Sequence, residues 1–589
     1  MSPARRSATR RGLTVARERA AEAAAATALL LVVALQVHTL DDSDTWWHLA
    51  SGRLIAAERA VARADPFSFT APGAPWINRQ WLFDLAAYGT WRAGGPAGPI
   101  LLAAALFTAA FATLYALARR RLPAWGAAAL VVLAAQAAVE RFTVRPEAAT
   151  FLLLATYLLV LDRASLGLRA LVALVVLQAV WANLHALSVL GLVVLGAELV
   201  SAAAARWLPL PPGWRHASRR DGRAVAGLAA ATAGAIAAEA ATPFGLAGAL
   251  FPLRLLGVLR GAEVTSAPII EHRAPALAEL SPPVALGLVA LLALAALAAL
   301  VSWRRWRIAH LLIAAAFTAL ALLARRNVAL IGPGVLPLVA SGLAPVAAAA
   351  DRRLARRPRA GAALGAALAL GFALATVLVV SGEYYRASRL TRTFGLGVSG
   401  LLFPAGAVDF LDVAAPSARL FNDDVLGGYL LWRDYPRRRV FIDGRFQVYP
   451  AAVYAEYQKV LDEPRAFAPL AARYGLGAAI LYHPGAGRLE LARAIASIPG
   501  WRIAYLDGGA IVLLADHRAS ELPAGVIGPP LARPAARTEE ALAYYQRGRA
   551  LLFLFGRQTS PLARADFEAA LRVLPGLHEA RVGLGMTSH

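Results

Sequence analysis

Glu22-Ala-Ala-Ala-Ala-Thr-Ala-Leu-Leu-Leu-Val-Val-Ala-Leu-Gln-Val-His-Thr-Leu40 runs directly into Asp41-Asp-Ser-Asp-Thr-Trp-Trp-His-Leu49. The first run has about the 20 apolar residues that a helix needs to cross a bilayer. The second sets Asp41, Asp42 and Asp44 beside Trp46, Trp47 and His48 at its end. Arg5, Arg6, Arg10, Arg11, Arg17 and Arg19 precede the apolar run. Positive residues favour the cytoplasmic side, so residues 1–21 are expected inside and the loop 41–98 outside. No small-x-small site follows Val37-His-Thr-Leu40, so the first run reads as an uncleaved anchor rather than a signal peptide.

The rest of the chain repeats this pattern. With 589 residues, 58% hydrophobic and 16% charged, and a mean hydropathy of 0.54, an ordinary soluble domain is excluded. Further apolar runs lie near 99–118, 124–139, 148–161, 170–184, 186–205, 224–241, 283–302, 308–324, 328–350 and 361–381. Together they predict an α-helical polytopic membrane protein with about eleven transmembrane helices over residues 22–381. Every second connection is rich in arginine: 119–121, 163–169, 206–223, 304–307 and 352–359. Most of the formal charge of +23 sits there and in the N-terminus, so the basicity reads as a topology signal rather than a nucleic-acid surface. The expected arrangement is multi-pass with the N-terminus cytoplasmic and residues 382–589 on the extracytoplasmic face. Cysteine is absent, which excludes disulfides, thiolate metal sites and a cysteine nucleophile.

Composition changes after Ser381. Arg439-Val-Phe-Ile442, Ala478-Ala-Ile-Leu-Tyr482 and Ala510-Ile-Val-Leu-Leu514 read as short buried strands, with helical stretches near 451–474 and 487–498. This predicts a small extracytoplasmic α/β domain over 382–520. Pro523, Pro529, Pro530 and Pro534 mark a linker over 521–536. Residues 537–589 read as about two amphipathic helices with a third beginning, and Ala543-Tyr-Tyr-Gln-Arg-Gly548 with Phe567-Glu-Ala-Ala570 and Pro575 resembles one tetratricopeptide repeat. One such repeat cannot bury its own apolar face, so the tail is expected to dock on something, a protein partner being one candidate.

Carboxylates, an imidazole and indoles in one short loop admit two readings. Tryptophan is common at membrane interfaces and an aspartate at a helix end is simply solvated. The same groups also suit a site where sugar faces stack on tryptophan while a carboxylate accepts a hydroxyl proton. Among cations, arginines predicted on the outside run against the charge trend. Arg141, Arg145, Arg273, Arg325 and Arg326 meet that criterion, and His185 and His272 can supplement them. Asn422-Asp-Asp424, Gly427-Gly-Tyr429 and Asp443-Gly-Arg445 fall at expected strand ends and turns, where the last pair can face the membrane domain. No Walker motif, dinucleotide fingerprint, His-Glu-x-x-His run or Gly-x-Ser-x-Gly elbow is present.

Asp42-Ser-Asp-Thr-Trp-Trp-His-Leu49, with Asp65-Pro-Phe-Ser68 and Trp81-Leu82 after it, resembles the first external loop of a group of bacterial multi-spanning membrane proteins. These in turn are similar to glycosyltransferase superfamily C. Trp181-Ala-Asn-Leu-His185, Thr242-Pro-Phe-Gly245, Ile270-Glu-His-Arg273, Arg325-Arg-Asn327, Gly427-Gly-Tyr-Leu430 and Val440-Phe-Ile-Asp-Gly-Arg445 extend the resemblance over most of residues 20–515. It implies an integral-membrane glycosyltransferase of a bacterial inner (plasma) membrane that moves a sugar from a polyprenyl-phosphate donor to an acceptor outside, with inversion. The superfamily's catalytic carboxylate maps onto Asp44 or Asp42, with Trp46, Trp47 and His48 as substrate contacts. Arg325, Arg326, Arg141, Arg145, His185 and His272 are then candidates for the donor phosphate. Asp42 and Asp44 are the residues that could hold a divalent cation, Mg2+ or Mn2+. Two other readings compete: a non-catalytic scaffold that presents the repeat-like tail, and a transporter with Glu239 and His185 on a polar path.

Overall fold

In hydrocarbon every backbone N–H and C=O must be paired within the protein, and apolar runs satisfy this as helices. In a computed structural model of the chain, residues 3–163, 165–257, 271, 273–516, 527–531 and 536–587 are described. Contacts divide the chain into two units, one built mainly from the residues up to His38 and from Ile100 to Phe394, the other from Thr39–Pro99 and Gly395–His589.

In the first unit a helix coincides with each expected apolar run, from Pro3–Ala34 and Ala97–Arg119 through to Ile331–Arg356 and Pro358–Val380. Among the described residues, 6 helical stretches are long and apolar enough to cross a membrane, and the apolar helices Glu147–Leu161, Leu168–Leu184, Gly222–Ala238 and Ile308–Leu323 are shorter. The chain is polytopic on that basis. Close approach of small residues holds the helices together, as expected where lipid removes the hydrophobic drive between them. A Cβ on Gly287 would lie 2.6 Å from Ala137 N, and one on Gly332 the same distance from Ala134 Cβ.

Side chains tie the connections into two groups. Arg120 and Arg121 reach Asp162 at 3.1 and 2.6 Å, Arg307 lies 3.5 Å from Asp162, and both Arg307 and Arg220 bind Glu198. The arginines among them belong to connections that charge counting assigns to one side. At the other ends of the helices His38 contacts the Phe142 carbonyl, Arg392 donates to the Glu140 carbonyl at 3.0 Å, and Arg325 N–H donates to Arg273 O at 2.8 Å.

In the second unit a 4-stranded sheet has the order β1-β2-β4-β3, with β1 Arg419–Asn422, β2 Leu476–Tyr482, β3 Trp501–Leu506 and β4 Ala510–Ala515. The β1–β2 pair is parallel and the other two pairs are antiparallel. Two of the expected strands are β2 and β4. The third, Arg439–Ile442, joins no sheet. It is extended but pairs with the first loop, through Val440 N to Phe67 O at 3.1 Å and Phe69 N to Val440 O at 3.2 Å. Its far side is satisfied by the Asn422 amide, which accepts from Phe441 N at 2.9 Å and donates to Ile442 O at 2.7 Å. The helical stretch near 451–474 is broken by Pro464 into Ala451–Asp462 and Phe467–Tyr474.

The tail forms three helices, Arg537–Phe555, Ser560–Val573 and His578–Met586. It docks on the α/β domain of its own chain. Glu539 accepts from Ser399 Oγ at 2.6 Å, Arg549 donates to His483 O at 2.9 Å, and Arg547 donates to Gly528 O at 2.6 Å. Pro523 and Pro534 of the expected linker lie outside the described residues.

Candidate functional sites

Asp44 is the first residue of the helix Asp44–Glu58, where a carboxylate suits the positive end of the helix dipole. Asp42 Oδ1 accepts the Asp44 N–H at 2.9 Å, so Asp42 is occupied in starting that helix. Asp42 is buried and Asp44 half-buried. The glycines of the tail motifs make room for this corner. A Cβ on Gly444 would fall 2.1 Å from Asp44 Oδ1, and one on Gly428 would fall 2.7 Å from Ser43 O. Any larger residue at either place would push the Asp44 turn away.

The neighbours of Asp44 are packed into protein. Trp46 exposes 1% of its surface, with the rings of Trp91, Phe403 and Tyr429 at 5.6, 5.1 and 4.9 Å. Trp47 exposes 4% and lies on the His48 ring at 3.7 Å. His48 Nδ1 is 2.6 Å from Asp84 Oδ1, and Asn78 donates to Asp84 Oδ2 at 2.8 Å. The three aromatic residues therefore fix the Asp44 turn rather than offering open faces for stacking. Two polar groups, the indole N–H of Trp46 and that of Trp47, are left over. Trp47 Nε1 is buried without a hydrogen-bond partner, and the Cβ position of Gly444 that touches Asp44 Oδ1 lies 3.6 Å from it. A buried donor left unpaired calls for an explanation, and a ligand acceptor is one.

Asp443 and Arg445, which can face the membrane domain in the sequence reading, instead form a buried ion cluster with the first loop. Arg445 exposes 0%, binds Asp65 at 2.8 Å and Asp443 at 2.6 Å, and is sandwiched between the Phe67 and Trp76 rings at 4.8 and 4.7 Å. The two carboxylates hold its guanidinium firmly charged, far above the ordinary arginine range, against the opposing effect of burial. Asp423 and Asp424 sit at the end of β1, where Tyr457 Oη is 3.2 and 3.0 Å from their carboxylates. Burial pushes both carboxyls up, and for Asp424 the neighbouring Asp423 charge adds to the effect.

The first unit carries the cations. Arg141 binds Glu147 at 2.5 Å and Glu271 at 3.1 Å, Arg325 binds Glu140 at 3.2 Å, and Arg326 lies 3.7 Å from Glu147. Arg145 joins the same field. Burial would raise the Glu271 carboxyl, but the charges of Arg141, Arg145 and Arg326 bring it down to about 2. His185 Nδ1 is 2.9 Å from Thr150 Oγ1, which also accepts from Trp181 Nε1 at 2.9 Å. His272 lies outside the described residues. Sequence reasoning found these arginines and missed Glu140, Glu147 and Glu271. The available signal was proximity, since each glutamate lies within two residues of an arginine it accompanies. Glu239, the carboxylate of the transport reading, accepts from Gln178 at 2.5 Å and Ser188 at 3.0 Å, while His185 goes to Thr150.

Among the described residues no group of 3 or more His, Cys, Asp or Glu side chains is placed to hold a metal ion. No protein-family model matches the chain, and no curated protein matches it in sequence. Solved structures do match. The archaeal oligosaccharyltransferase AglB from Archaeoglobus fulgidus, in complex with an inhibitory peptide and a dolichol-phosphate, has a TM-score of 0.52 at 13% identity, over 90% of this chain and 77% of that one. The apo form of the Archaeoglobus fulgidus oligosaccharyltransferase has 0.51 at 13% identity, over 90% and 78%. The chain has the oligosaccharyltransferase fold. This shared fold agrees with the family resemblance read from the sequence. ArnT from Cupriavidus metallidurans in the apo state is also similar, with a TM-score of 0.49 at 15% identity over 84% of this chain and 97% of that one. The fold comparison rests on the first two.

Proposed function

We propose that the protein is an integral-membrane glycosyltransferase that moves a sugar from a polyprenyl-phosphate donor to an acceptor hydroxyl on the extracytoplasmic face. The observation that carries this reading is the half-buried Asp44 carboxylate beside the unpartnered Trp47 N–H at the Gly444 turn. A fold shared with a protein whose structure contains dolichol-phosphate adds support. In the reaction, Asp44 removes the acceptor proton as the acceptor oxygen bonds to the anomeric carbon from the face opposite the phosphate. The bond from that carbon to the phosphate oxygen breaks, its electron pair leaves with the lipid phosphate, and configuration inverts. Trp47 N–H donates to a sugar or acceptor oxygen. Arg325, Arg326, Arg141 and Arg145 hold the phosphate charge, and the pairing of the first three with Glu140, Glu147 and Glu271 keeps them ordered when no donor is bound.

Asp42 and Asp44 are the residues that would hold a divalent cation, which would neutralise phosphate charge. With no third protein carboxylate or imidazole grouped with them among the described residues, further ligands would have to come from substrate or water. Correctly inserted Asp44→Asn protein should accumulate the lipid-linked donor and lose the glycan product by mass spectrometry. Full transfer by that variant would end the proposal. The scaffold reading loses its main motivation, because the tail's contacts with its own α/β domain already supply the docking that a lone repeat needs.

A further inference from the structure

The helical stretch Ala186–Trp207 starts beside His185 and ends, 22 residues later, among the arginine-rich connections of the first unit. At roughly 1.5 Å per residue the two ends are about 30 Å apart, a full bilayer core. At the Trp207 end a cavity of about 570 Å³ is lined by Arg206, Arg215, Arg219 and Arg220, with Trp207 and Leu208 as apolar wall. No acidic residue lines it among the described residues. The nearest carboxylates have other duties. Glu198 binds Arg307 at 2.8 Å as well as Arg220 at 3.1 Å, Asp162 serves Arg120 and Arg121, and Asp221 caps the helix Gly222–Ala238 by accepting from Ala224 N at 2.7 Å. Backbone carbonyls aim two of the cavity's cations: Arg220 donates to Leu161 O at 2.6 Å and to Arg163 O at 3.0 Å, and Arg215 donates to Leu208 O at 3.2 Å.

Tryptophans cluster around this cavity. Trp207 and Trp303 are 68% and 55% exposed, Trp214 donates to Trp303 O at 2.7 Å, and its ring lies 4.7 Å from that of Trp306. Tryptophan gathers in this way at the membrane interface. Planar guanidinium groups bind phosphate oxygens in pairs, and basic pockets between membrane helices take acidic head groups. We infer that the cavity binds the phosphate of an anionic phospholipid, whose acyl chains run along Trp207 and Leu208. This lipid is distinct from the sugar donor, and the inference requires only that these helices cross a bilayer.

The test uses the full chain in phosphatidylcholine nanodiscs titrated with phosphatidylglycerol, with lipid retained per protein read by native mass spectrometry. At about fivefold per arginine, R206Q/R215Q/R219Q should bind phosphatidylglycerol on the order of 100-fold more weakly. R352Q/R353Q, which removes charge elsewhere, should bind it as the unmodified protein does. Inorganic phosphate at the same concentration should not displace the lipid. Retention by the triple variant, an equal loss in the R352Q/R353Q control, or displacement by inorganic phosphate would each overturn the inference, the last in favour of a soluble phosphate ligand. Should the triple variant aggregate, R219Q alone is read against the same control, with about a fivefold loss expected.

Discussion

Two clusters of arginine and carboxylate, one in each unit, use the same chemistry and arrive at different states. Around Arg445 everything is closed: the guanidinium exposes 0%, Asp65 and Asp443 take its donors, and two aromatic rings cover its faces. Around Arg141 the pairing is looser. The Arg325 and Arg326 side chains are each 25% exposed, and the Glu271 side chain is 45% exposed. A charge that is fully enclosed and fully paired cannot exchange its partner without leaving another charge buried, so it fastens structure. A charge whose counter-ion reaches solvent can trade that counter-ion for a ligand.

The sharpest way to break this comparison is Arg445→Ala. With Asp65 and Asp443 left uncompensated, the loss should be about 3–5 kcal/mol, seen as a large fall in thermal stability or failure to accumulate folded protein. Arg445→Lys should not restore it, because an ammonium cannot reproduce the forked bonds or the stacking between Phe67 and Trp76. If Arg445→Ala is as stable as the unmodified protein, the enclosed cluster is not a fastening.

Next in size is the effect on chemistry. Asp44→Asn should slow transfer by about 10²–10⁴-fold with little change in thermal unfolding, while Asp42→Asn should act on both, since Asp42 starts the helix that carries Asp44. Arg326→Gln should weaken donor binding by roughly 10- to 100-fold, the range of a charge-assisted hydrogen bond, read as a raised KM for the lipid-linked sugar. An unchanged KM would remove Arg326 from the donor site.

The smallest effect concerns Glu271. Its carboxyl titrates near about 2 in the folded chain, below the ordinary value of 4.5. Its pairing therefore stabilises fully above pH 4.5 and is lost as pH falls toward 2. Glu271→Gln should lose part of that stabilisation at pH 7, where the pairing is fully present, and should flatten the dependence of stability on pH across the acid window. A loss at pH 7 as large as that of Arg445→Ala would mean that Glu271 fastens structure as Arg445 does.

What the sequence determined by itself is local. Apolar runs of membrane length became helices because the backbone requires it in hydrocarbon. Arginine-rich connections met through Asp162 and Glu198 because helices of alternating direction return their ends to the same side. The acidic and aromatic residues of the first loop were also visible, but the helix that Asp44 starts was not, because residues 41–98 read as a loop. Tertiary structure decided the rest. Asp65 and Arg445 are 380 residues apart in the chain, and nothing in the spacing of either motif announces the other. Val440 left the sheet for the first loop, Trp46 turned into an aromatic core, and the tail found its dock on Ser399 and His483. Periodicity records which face of an element is apolar. Which distant residue satisfies a buried charge or an unpaired strand is settled only when the chain folds, because that energy depends on burial and on partners far away in sequence.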